Sequence, residues 1–241
     1  MKRSLIITKD GSHTISIPEM NVSYHSHHGA IQESRHVFIN AGLHHLLNNM
    51  QGPDLYVFEM GFGTGLNALL TLMEANDRKR EIHYLTIELF PITPVEATTL
   101  NYCDQLNRKD LSSAFDQLHQ CEWEKDNSIT PFFTIHKQKI SLPDIKPSSL
   151  FHDGSFGQNL IYFDAFAPAA QPQLWTKEIF EVLYSGLMPG GVLVTYCSKG
   201  AVRRAMQTAG FVVEKIAGPP GKREIVRAIK NIQGMSTLSI I

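Results

Sequence analysis

The stretch Glu59-Met60-Gly61-Phe62-Gly63-Thr64-Gly65 decides the fold prediction. The apolar run Leu55–Met60 leads into it and predicts a buried strand, and Leu66–Ala75 follows it with helical periodicity. Glycines between a strand and a helix allow positive φ and let a ligand approach the backbone closely. Glu88 ends the next predicted strand, 23 residues after Gly65, where a carboxylate can bind a ribose diol. We therefore expect a nucleotide-type ligand at this turn.

The spacing of the turn and the acid before it favour one class of ligand. A dinucleotide fingerprint reads G-x-G-x-x-G and surrounds a pyrophosphate, whereas this turn reads G-x-G-x-G. Glu59 would repel a pyrophosphate and suits a ligand that carries a positive amino or sulfonium group. We therefore predict S-adenosyl-L-methionine as the cofactor, with an NAD-dependent oxidoreductase as the alternative.

Strand and helix patterns alternate along the rest of the chain. Strands are expected at His83–Glu88, Phe132–His136, Leu160–Phe163, Val192–Cys197, Phe211–Ile216 and Glu224–Ile229, and helices at Pro94–Leu106, Leu111–His119, Pro172–Ser185 and Val202–Ala209. This alternation predicts an α/β fold with a mostly parallel sheet, Rossmann-like in type. Right-handed crossovers bring the carboxyl ends of the strands to one edge, where such sheets bind ligands.

Three segments are expected. Residues 1–50 should form an appendage made of a β-ribbon, whose turn contains Asp10-Gly11, and a lid helix near residues 30–50. The Rossmann-like domain should span 51–230 and a tail 231–241. The chain has no apolar run long enough for a membrane span and no signal-peptide core. Its three cysteines lack a CxxC motif, so we expect a cytoplasmic protein without membrane partners.

A second chemical feature follows the predicted strand Leu160–Phe163, in Asp164-Ala165-Phe166-Ala167-Pro168. In the predicted topology this point faces the reactive end of the cofactor. Asp164 could accept N–H hydrogen bonds from an amine, orient its lone pair and take its proton, and Phe166 could stack on a planar base. The alternative is that Asp164 only caps the following turn. The glycine turn upstream favours the catalytic role.

Basic residues are concentrated near the end of the chain, although the total formal charge is −1. Between Thr195 and Lys230, eight lysines and arginines face only Glu214 and Glu224, a net charge of +6. The eight are Lys199, Arg203, Arg204, Lys215, Lys222, Arg223, Arg227 and Lys230. A local basic face can bind a polyanion even on a neutral protein, and a solvated surface is the alternative.

Several short motifs occur together in a characteristic order. They are Gln32–Phe38, Gly61–Asn67, Asp164–Pro168 with Leu174–Thr176, Pro189–Gly191, Val202–Arg204, Ala209–Phe211 and Gly221–Glu224. From about Tyr24 to Ile229, the chain resembles one family. It is the methyltransferase domain of the bifunctional enzyme that completes 5-methylaminomethyl-2-thiouridine at the wobble position of tRNA.

The resemblance implies a class I methyltransferase that uses S-adenosyl-L-methionine and methylates the amine of 5-aminomethyl-2-thiouridine in the anticodon region of tRNA. Mapped onto this sequence, and with Glu59 added, it gives cofactor contacts at Tyr24, Glu33, Glu59, Gly61, Gly63, Thr64, Gly65, Asn67, Glu88 and Asp164. Asp164 would be the catalytic residue. The tRNA would contact Phe166, Lys199, Arg203, Arg204, Lys222 and Arg223, since phosphate contacts position RNA without reading its sequence.

The chain departs from the family pattern in two places. The bifunctional enzyme carries a flavin-dependent oxidase domain, for which 241 residues leave no room, so an upstream uridine-modifying enzyme would have to supply the aminomethyl base. The family also has a Gly-Asp pair on the adenine side after the third strand. Here Gln138-Lys139 stands in that place, and no acid follows before Asp144.

No metal site is expected. His25, His27 and His28 have no cysteine or carboxylate at ligand spacing, and a catalytic metal needs about three protein ligands in a defined geometry. Three rival hypotheses stay open from the sequence. They are a class I methyltransferase acting on a small-molecule or protein amine, an NAD-dependent oxidoreductase, and a non-catalytic RNA-binding module.

Overall fold

The computed structural model describes residues 2–49, 54–150 and 157–231 of the chain. These residues form a three-stranded ribbon at the N-terminus and an eight-stranded sheet with helices on both faces. The predicted α/β class with a mostly parallel sheet is confirmed. The predicted tail, residues 231–241, lies outside the described residues except for Asn231.

The N-terminal ribbon contains β1 (Ser4–Ile7), β2 (His13–Ile17) and β3 (Val22–Ser23), all antiparallel. Its first turn contains Gly11 at φ +82°, in agreement with the predicted Asp-Gly hairpin. The Asn101 side chain fastens this turn to the rest of the fold. Its Nδ2 donates to the Gly11 carbonyl at 2.9 Å, and its Oδ1 accepts the His13 N–H at 2.8 Å.

A continuous helical segment follows the ribbon. It consists of α1 (Ala30–Ser34), a π-helical stretch (Arg35–His44) and α2 (His45–Asn49). The sequence places this segment in an appendage, but its buried side chains belong to the apolar cluster that covers one face of the large sheet. A Cβ on Gly42 would lie 2.9 Å from Val194 Cγ2, so the glycine permits this close packing. The helix is therefore part of the main core.

The large sheet has the strand order β10-β11-β9-β8-β4-β5-β7-β6. Its strands are β4 (Leu55–Met60), β5 (Ile82–Ile87), β6 (Asp126–Thr130), β7 (Phe133–Gln138), β8 (Gln158–Phe163), β9 (Leu187–Thr195), β10 (Val212–Ala217) and β11 (Glu224–Ile229). Strands β7, β5, β4, β8 and β9 are parallel, so their carboxyl ends lie on one edge. Strand β11 is antiparallel to β9 and β10, and β6 to β7.

Both faces of the central strands are buried. In β4, Val57 packs in one apolar cluster and Phe58 in the other, and Leu160 and Ile161 divide in the same way in β8. Burial on both faces explains why these strands read as continuous apolar runs rather than as alternating patterns. The covering helices are α3 (Leu66–Arg78), α4 (Pro94–Ala97), α5 (Tyr102–Gln105), α6 (Ser112–Gln120), α7 (Lys177–Gly186) and α8 (Gly200–Thr208).

Several elements differ from the sequence prediction. Helix α7 begins at Lys177 instead of Pro172, and β9 begins at Leu187 instead of Val192. The helix expected at Pro94–Leu106 is split into α4 and α5, because the Asn101 side chain bonds to the ribbon between them. The edge strand β6 was not predicted, because its sequence Asp-Asn-Ser-Ile-Thr is mostly polar and one face of it is exposed. In the described ranges, no helix has both the length and the apolar character needed to cross a bilayer.

Candidate active site

A cavity of about 310 Å³ opens at the carboxyl edge of β4, β5 and β8. Eight of the residues selected from the sequence line it. They are Tyr24, Gly61, Gly63, Thr64, Asn67, Glu88, Asp164 and Phe166. The walls are mostly apolar, with a few polar groups facing inward, as is usual for small-molecule sites.

The glycine turn between β4 and α3 forms the floor of the cavity. Gly61, Gly63 and Gly65 have φ values of +92°, +53° and +74°. A Cβ on Gly63 would lie 2.9 Å from Tyr24 Cδ1, and one on Gly65 would lie 2.9 Å from His119 Nε2. All three positions therefore require glycine, and the turn presents bare backbone to a ligand. Gly65 itself faces His119 rather than the cavity.

Glu88 stands at the end of β5, as predicted, and lines the cavity. Its Oε2 accepts the Gly63 N–H at 3.1 Å, and its Oε1 accepts the Phe90 N–H at 2.9 Å. These two bonds hold the carboxylate against the glycine turn. Each oxygen has further lone pairs that can accept hydroxyl hydrogens from a diol.

Glu59 lies behind the turn and does not line the cavity. It is 1% exposed, and its Oε2 accepts the Thr86 hydroxyl at 3.0 Å. Burial, reinforced by the negative charge of Asp164, raises the pKa of Glu59 well above its ordinary value. The expected direct attraction between a Glu59 carboxylate and a cationic ligand does not agree with this position, because the side chain is buried behind the turn and burial disfavours its charged form.

Asp164 follows β8 and faces the cavity. Its Oδ2 accepts the Asn67 Nδ2–H at 2.9 Å, so the side chain is oriented by α3 rather than used to cap its own turn. Burial, and then the charge of Glu33, raise the pKa of Asp164 to about 7, against the smaller opposing effects of Asn67 and Lys222. A carboxyl group that titrates near neutral pH can both accept and release a proton under working conditions.

Two aromatic rings close the cavity beside Asp164. Tyr24 and Phe166 meet edge to face, with ring centroids 5.3 Å apart. The Phe166 backbone is held at both ends, because its N–H donates to Gln171 Oε1 at 3.0 Å and its carbonyl accepts Trp175 Nε1–H at 2.8 Å. Burial and the charge of Glu88 raise the pKa of Tyr24 to about 12, so its hydroxyl stays neutral.

Thr64 lines the cavity but its side chain is already engaged. Its hydroxyl accepts the Tyr102 O–H at 2.9 Å. Its carbonyl oxygen lies 3.2 Å from His119 Nε2, and burial lowers the pKa of His119 to about 4. A neutral His119 with its proton on Nε2 donates to that carbonyl. Thr64 therefore contributes to the cavity mainly through its backbone and its shape.

Glu33 does not line the cavity. It is buried on α1, where it forms an ion pair with Lys222 and accepts the Ser26 N–H at 2.7 Å. Lys222 is consequently occupied by Glu33 and by the ring of Tyr196, 3.9 Å from its centroid. The expected phosphate contact of Lys222 does not agree with this arrangement, because its charge is already balanced inside the fold.

Some members of the basic segment are engaged by acidic side chains or backbone carbonyl groups. Lys215 pairs with Glu224, Arg227 pairs with Glu214, and Lys230 donates to backbone carbonyl groups. Four residues remain at the surface around the start of α8 and the β10–β11 turn, and we call them the basic rim: Lys199, Arg203, Arg204 and Arg223. The net +6 of the sequence is thus reduced to a smaller patch beside the end of β9.

Several cavity residues were not identified from the sequence. Leu89 and Phe90 follow β5, and Ile140, Ser141, Leu142 and Pro143 follow β7. The second group comes directly after Gln138-Lys139, where the Gly-Asp pair of the family pattern was sought. Both groups form mostly apolar walls, and the Ser141 hydroxyl donates to Asp144 Oδ2. Met20 and Gln173 line the entrance. Apolar loop residues of this kind carry no periodicity or motif that marks them beforehand.

Sequence comparison assigns the chain to a family. The model of a family of S-adenosyl-L-methionine-dependent methyltransferases matches residues 110–231, half of the chain. The chain belongs to this methyltransferase family. The cofactor predicted from the glycine turn is therefore confirmed, and the NAD-dependent oxidoreductase is no longer a candidate.

Solved structures support the assignment at the level of the fold. MnmC2 from Aquifex aeolicus superposes with a TM-score of 0.71 and 21% identity over 98% of this chain and 73% of its own. The family match and this likeness confirm the resemblance indicated by the motifs. A probable spermidine synthase from Corynebacterium glutamicum also matches, with a TM-score of 0.49 and 18% identity over 99% of this chain and 80% of its own.

The residues of the methyltransferase fit its cofactor. The bare backbone of Gly61 and Gly63 provides the close approach that a nucleoside amino acid needs, and Glu88 stands beside it at the place expected for a ribose diol. Leu89, Phe90 and Ile140–Pro143 form an apolar slot suited to a flat base. Within the described ranges, no group of three histidine, cysteine or acidic side chains is arranged to hold a metal ion.

Proposed function

We propose that this methyltransferase N-methylates the aminomethyl group of 5-aminomethyl-2-thiouridine at the wobble position of tRNA. The observation that carries the proposal is the position of Asp164, which faces the cofactor cavity between Asn67 and the aromatic ring of Phe166. The motif order shared with the methyltransferase domain of the tRNA-modifying enzyme supports the substrate. Asp164 is the proposed catalytic residue.

Asp164 prepares the amine for reaction. Bound S-adenosyl-L-methionine supplies an electrophilic methyl group on a sulfonium sulfur. The amine nitrogen must be neutral to attack, so its lone pair has to be free and aimed at the methyl carbon. While the electrons of the broken C–S bond would stay with the methyl donor, the nitrogen that forms the new N–C bond would become positive. The Asp164 carboxylate then accepts one of its protons.

Tyr24 and Phe166 exclude water from this step. Their edge-to-face contact narrows the entrance above Gly63, and a planar pyrimidine can stack against the exposed part of the Phe166 ring. Exclusion of water strengthens the hydrogen bonds of Asp164 to the amine, since the local dielectric constant falls. Positioning and desolvation together account for most of the proposed catalysis.

The basic rim supports a polyanionic substrate. Lys199, Arg204 and Arg223 are exposed. The charges of Arg203 and Arg223 both lower the pKa of Glu224, so both side chains lie near this residue. The rim lies at the end of β9, next in the sheet to the strand that presents Asp164. Contacts from these side chains to the anticodon-loop phosphates would hold the wobble base over the cavity.

The experiment is methyl transfer to tRNA in vitro. Purified protein is first titrated with S-adenosyl-L-methionine and with NAD, and is then incubated with the methyl donor and total tRNA from cells that lack the modification. We expect 5-methylaminomethyl-2-thiouridine in digests of this tRNA, and no product with Asp164→Asn. Cofactor binding without transfer to this tRNA would overturn the proposed substrate, and small-molecule or protein amines would then be tested. An Asp164→Asn variant with full activity would overturn the proposed role of Asp164.

A further inference from the structure

An ion pair beside the cavity joins elements that are far apart in the sequence. Lys222 lies in the turn between β10 and β11, and its Nζ contacts Glu33 Oε1 on α1. The other oxygen of Glu33 accepts the Ser26 N–H at 2.7 Å. The Lys222 ammonium also lies 3.9 Å from the centroid of the Tyr196 ring, a cation–π contact. Side-chain exposure is 9% for Glu33 and 28% for Lys222, so the pair is largely enclosed.

The same pair is connected to Asp164. The Tyr196 hydroxyl donates to the Ala165 carbonyl oxygen at 2.8 Å, which fixes the backbone next to Asp164. Lys222 therefore packs against the Tyr196 ring, which anchors the loop that contains Asp164. The pair also acts through its charges, because Glu33 raises the pKa of Asp164 and Lys222 lowers it.

Several other titratable groups close to Asp164 are buried, and burial disfavours their charged forms. Burial raises the pKa values of Tyr84 on β5 and Tyr196 after β9, which keeps both hydroxyls neutral, and it raises the pKa of Glu59 on β4 well above its ordinary value, which disfavours a charge there. Burial lowers the pKa of His25, on the loop after β3, to about 4, which keeps its ring neutral. Asn67 on α3 is neutral as well. Among the described residues that act on Asp164, Glu33 and Lys222 are thus the charged ones.

We propose that Lys222 is a positioning residue for the methyl transfer: held on Tyr196 by Glu33, its ammonium offsets the Glu33 carboxylate and keeps Asp164 able to accept the amine proton. Without this ammonium, the negative charge of Glu33 would act on Asp164 with no nearby cation to offset it, and a like charge favours the protonated form of a carboxyl group. A protonated Asp164 could not take a proton from the amine. The inference rests on the proposed function, and it gives Lys222 an inward role in place of an RNA contact.

The test compares Lys222→Met, Glu33→Gln and the double variant. The first leaves two carboxylates without a counterion, the second leaves one carboxylate with one ammonium, and the double variant restores the net charge of the native site. The primary readout is the titration of the Asp164 carboxyl carbon by ¹³C NMR in protein without cofactor, assigned by its loss in Asp164→Asn. The second readout is the pH dependence of methyl transfer to tRNA.

We expect the Asp164 midpoint to rise by about one pH unit or more in Lys222→Met and to fall by a similar amount in Glu33→Gln. The double variant should titrate near the native midpoint, and the lower limb of the activity profile should follow the same order. Lys222→Arg should stay close to the native protein, since it keeps the charge. Lys79→Met, which removes a lysine at the exposed end of α3, serves as the matched control.

A purely structural role of Lys222 would give a different result. Maximal activity would then fall in Lys222→Met, Glu33→Gln and most of all in the double variant, while the Asp164 midpoint would not move. That result would overturn the proposal. Should Lys222→Met fail to fold by circular dichroism, Glu33→Gln and Lys222→Arg still test it, because an unmoved midpoint in Glu33→Gln contradicts it. The NMR titration needs no tRNA. Failure of the native protein to methylate tRNA therefore counts only against the proposed substrate.

Discussion

Asn67 Nδ2 donates a 2.9 Å hydrogen bond to Asp164 Oδ2 and so connects the first turn of α3 to the loop after β8. Asn67 belongs to the glycine-turn motif proposed to hold the cofactor, whereas Asp164 belongs to the motif proposed to meet the substrate. A single side-chain contact thereby fixes the geometry between the two halves of the site. Because the amide donates to the carboxylate, it also favours the ionised form of Asp164.

Replacement of Asn67 by alanine should therefore impair proton acceptance by Asp164. The carboxylate loses its oriented donor, its pKa rises further, and the single-turnover rate of methyl transfer at pH 7 should fall roughly tenfold or more, as for loss of a bond to a charged group. Part of the rate should return at pH 9. The matched control is Asn76→Ala, on the same helix, whose side chain bonds to Thr130 away from the cavity. Equal rates for both variants would contradict the role of Asn67.

Asp164→Asn should stabilise the folded protein while it abolishes activity. The folded pKa is about 7 and the unfolded value about 3.8, so the folded state retains the proton longer as pH rises. Burial of this carboxyl group therefore costs the folded state stability. The cost grows from about pH 4 to pH 7 and is reached in full above pH 7. The variant should unfold with a free energy higher by on the order of 2–4 kcal/mol at pH 8 and nearly equal at pH 4. Urea titrations at both pH values measure this, and a constant difference would exclude titration of Asp164 as its cause.

The sequence was most informative where chemistry is local. The turn Gly61–Gly65, Glu88 at the next strand end and Asp164 at the end of β8 could all be placed, because each depends on a short motif at a strand terminus. The pairing of Lys222 with Glu33 could not be placed, since the partners are 189 residues apart and lie on different elements. Charge counting along one segment therefore overestimated the surface available to RNA.

The acid before the glycines shows a second limit of sequence reasoning. A glutamate at position 59 suggested a charge facing the ligand, and the residue type alone could not reveal that strand alternation directs it into the core. Similarly, β6 is a strand because it pairs with β7, and the loop Ile140–Pro143 lines the cavity because of the elements that pack beside it. Burial, rather than residue identity, decides these roles.

Glu59→Gln should accordingly bind S-adenosyl-L-methionine nearly as well as the native protein. Burial favours the neutral form of the native side chain and raises its pKa well above that of the unfolded chain, and an amide of the same shape can still accept the Thr86 hydroxyl. The variant should also be more stable above about pH 4.5, where the unfolded chain ionises more readily than the folded one, with the gain growing until pH exceeds the folded pKa, and should differ least in acid. Calorimetric titration and thermal unfolding measure both effects. A large loss of affinity would show that Glu59 acts on the cofactor as an anion.

Gly63→Ala should affect the cofactor more than the fold. Alanine at φ +53° costs about 1 kcal/mol, and its Cβ would displace Tyr24, which lies 2.9 Å away. Gly210→Ala is a matched control, since it has φ +107° and its Cβ would meet Tyr184 at 3.1 Å, a ring that does not line the cavity. Gly210→Ala should lose at least as much stability in urea titrations as Gly63→Ala, because φ +107° lies outside the left-handed region that alanine can enter. Only Gly63→Ala should lose cofactor affinity. Equal affinities in the two variants would contradict the role of Tyr24 in closing the cavity.

The basic rim should determine how strongly tRNA binding depends on salt. Removal of one phosphate-binding charge lowers the slope of log K against log salt by about 0.7–0.9, so Lys199→Gln with Arg204→Gln should reduce it by about 1.5. The control is Arg78→Gln with Lys79→Gln, which removes the same two charge types from the far end of α3, opposite the cavity. Filter binding of tRNA between about 50 and 200 mM salt measures both slopes. Should the two double variants give the same slope, the rim would not be the RNA-binding surface, because equal loss of total charge would then explain the effect.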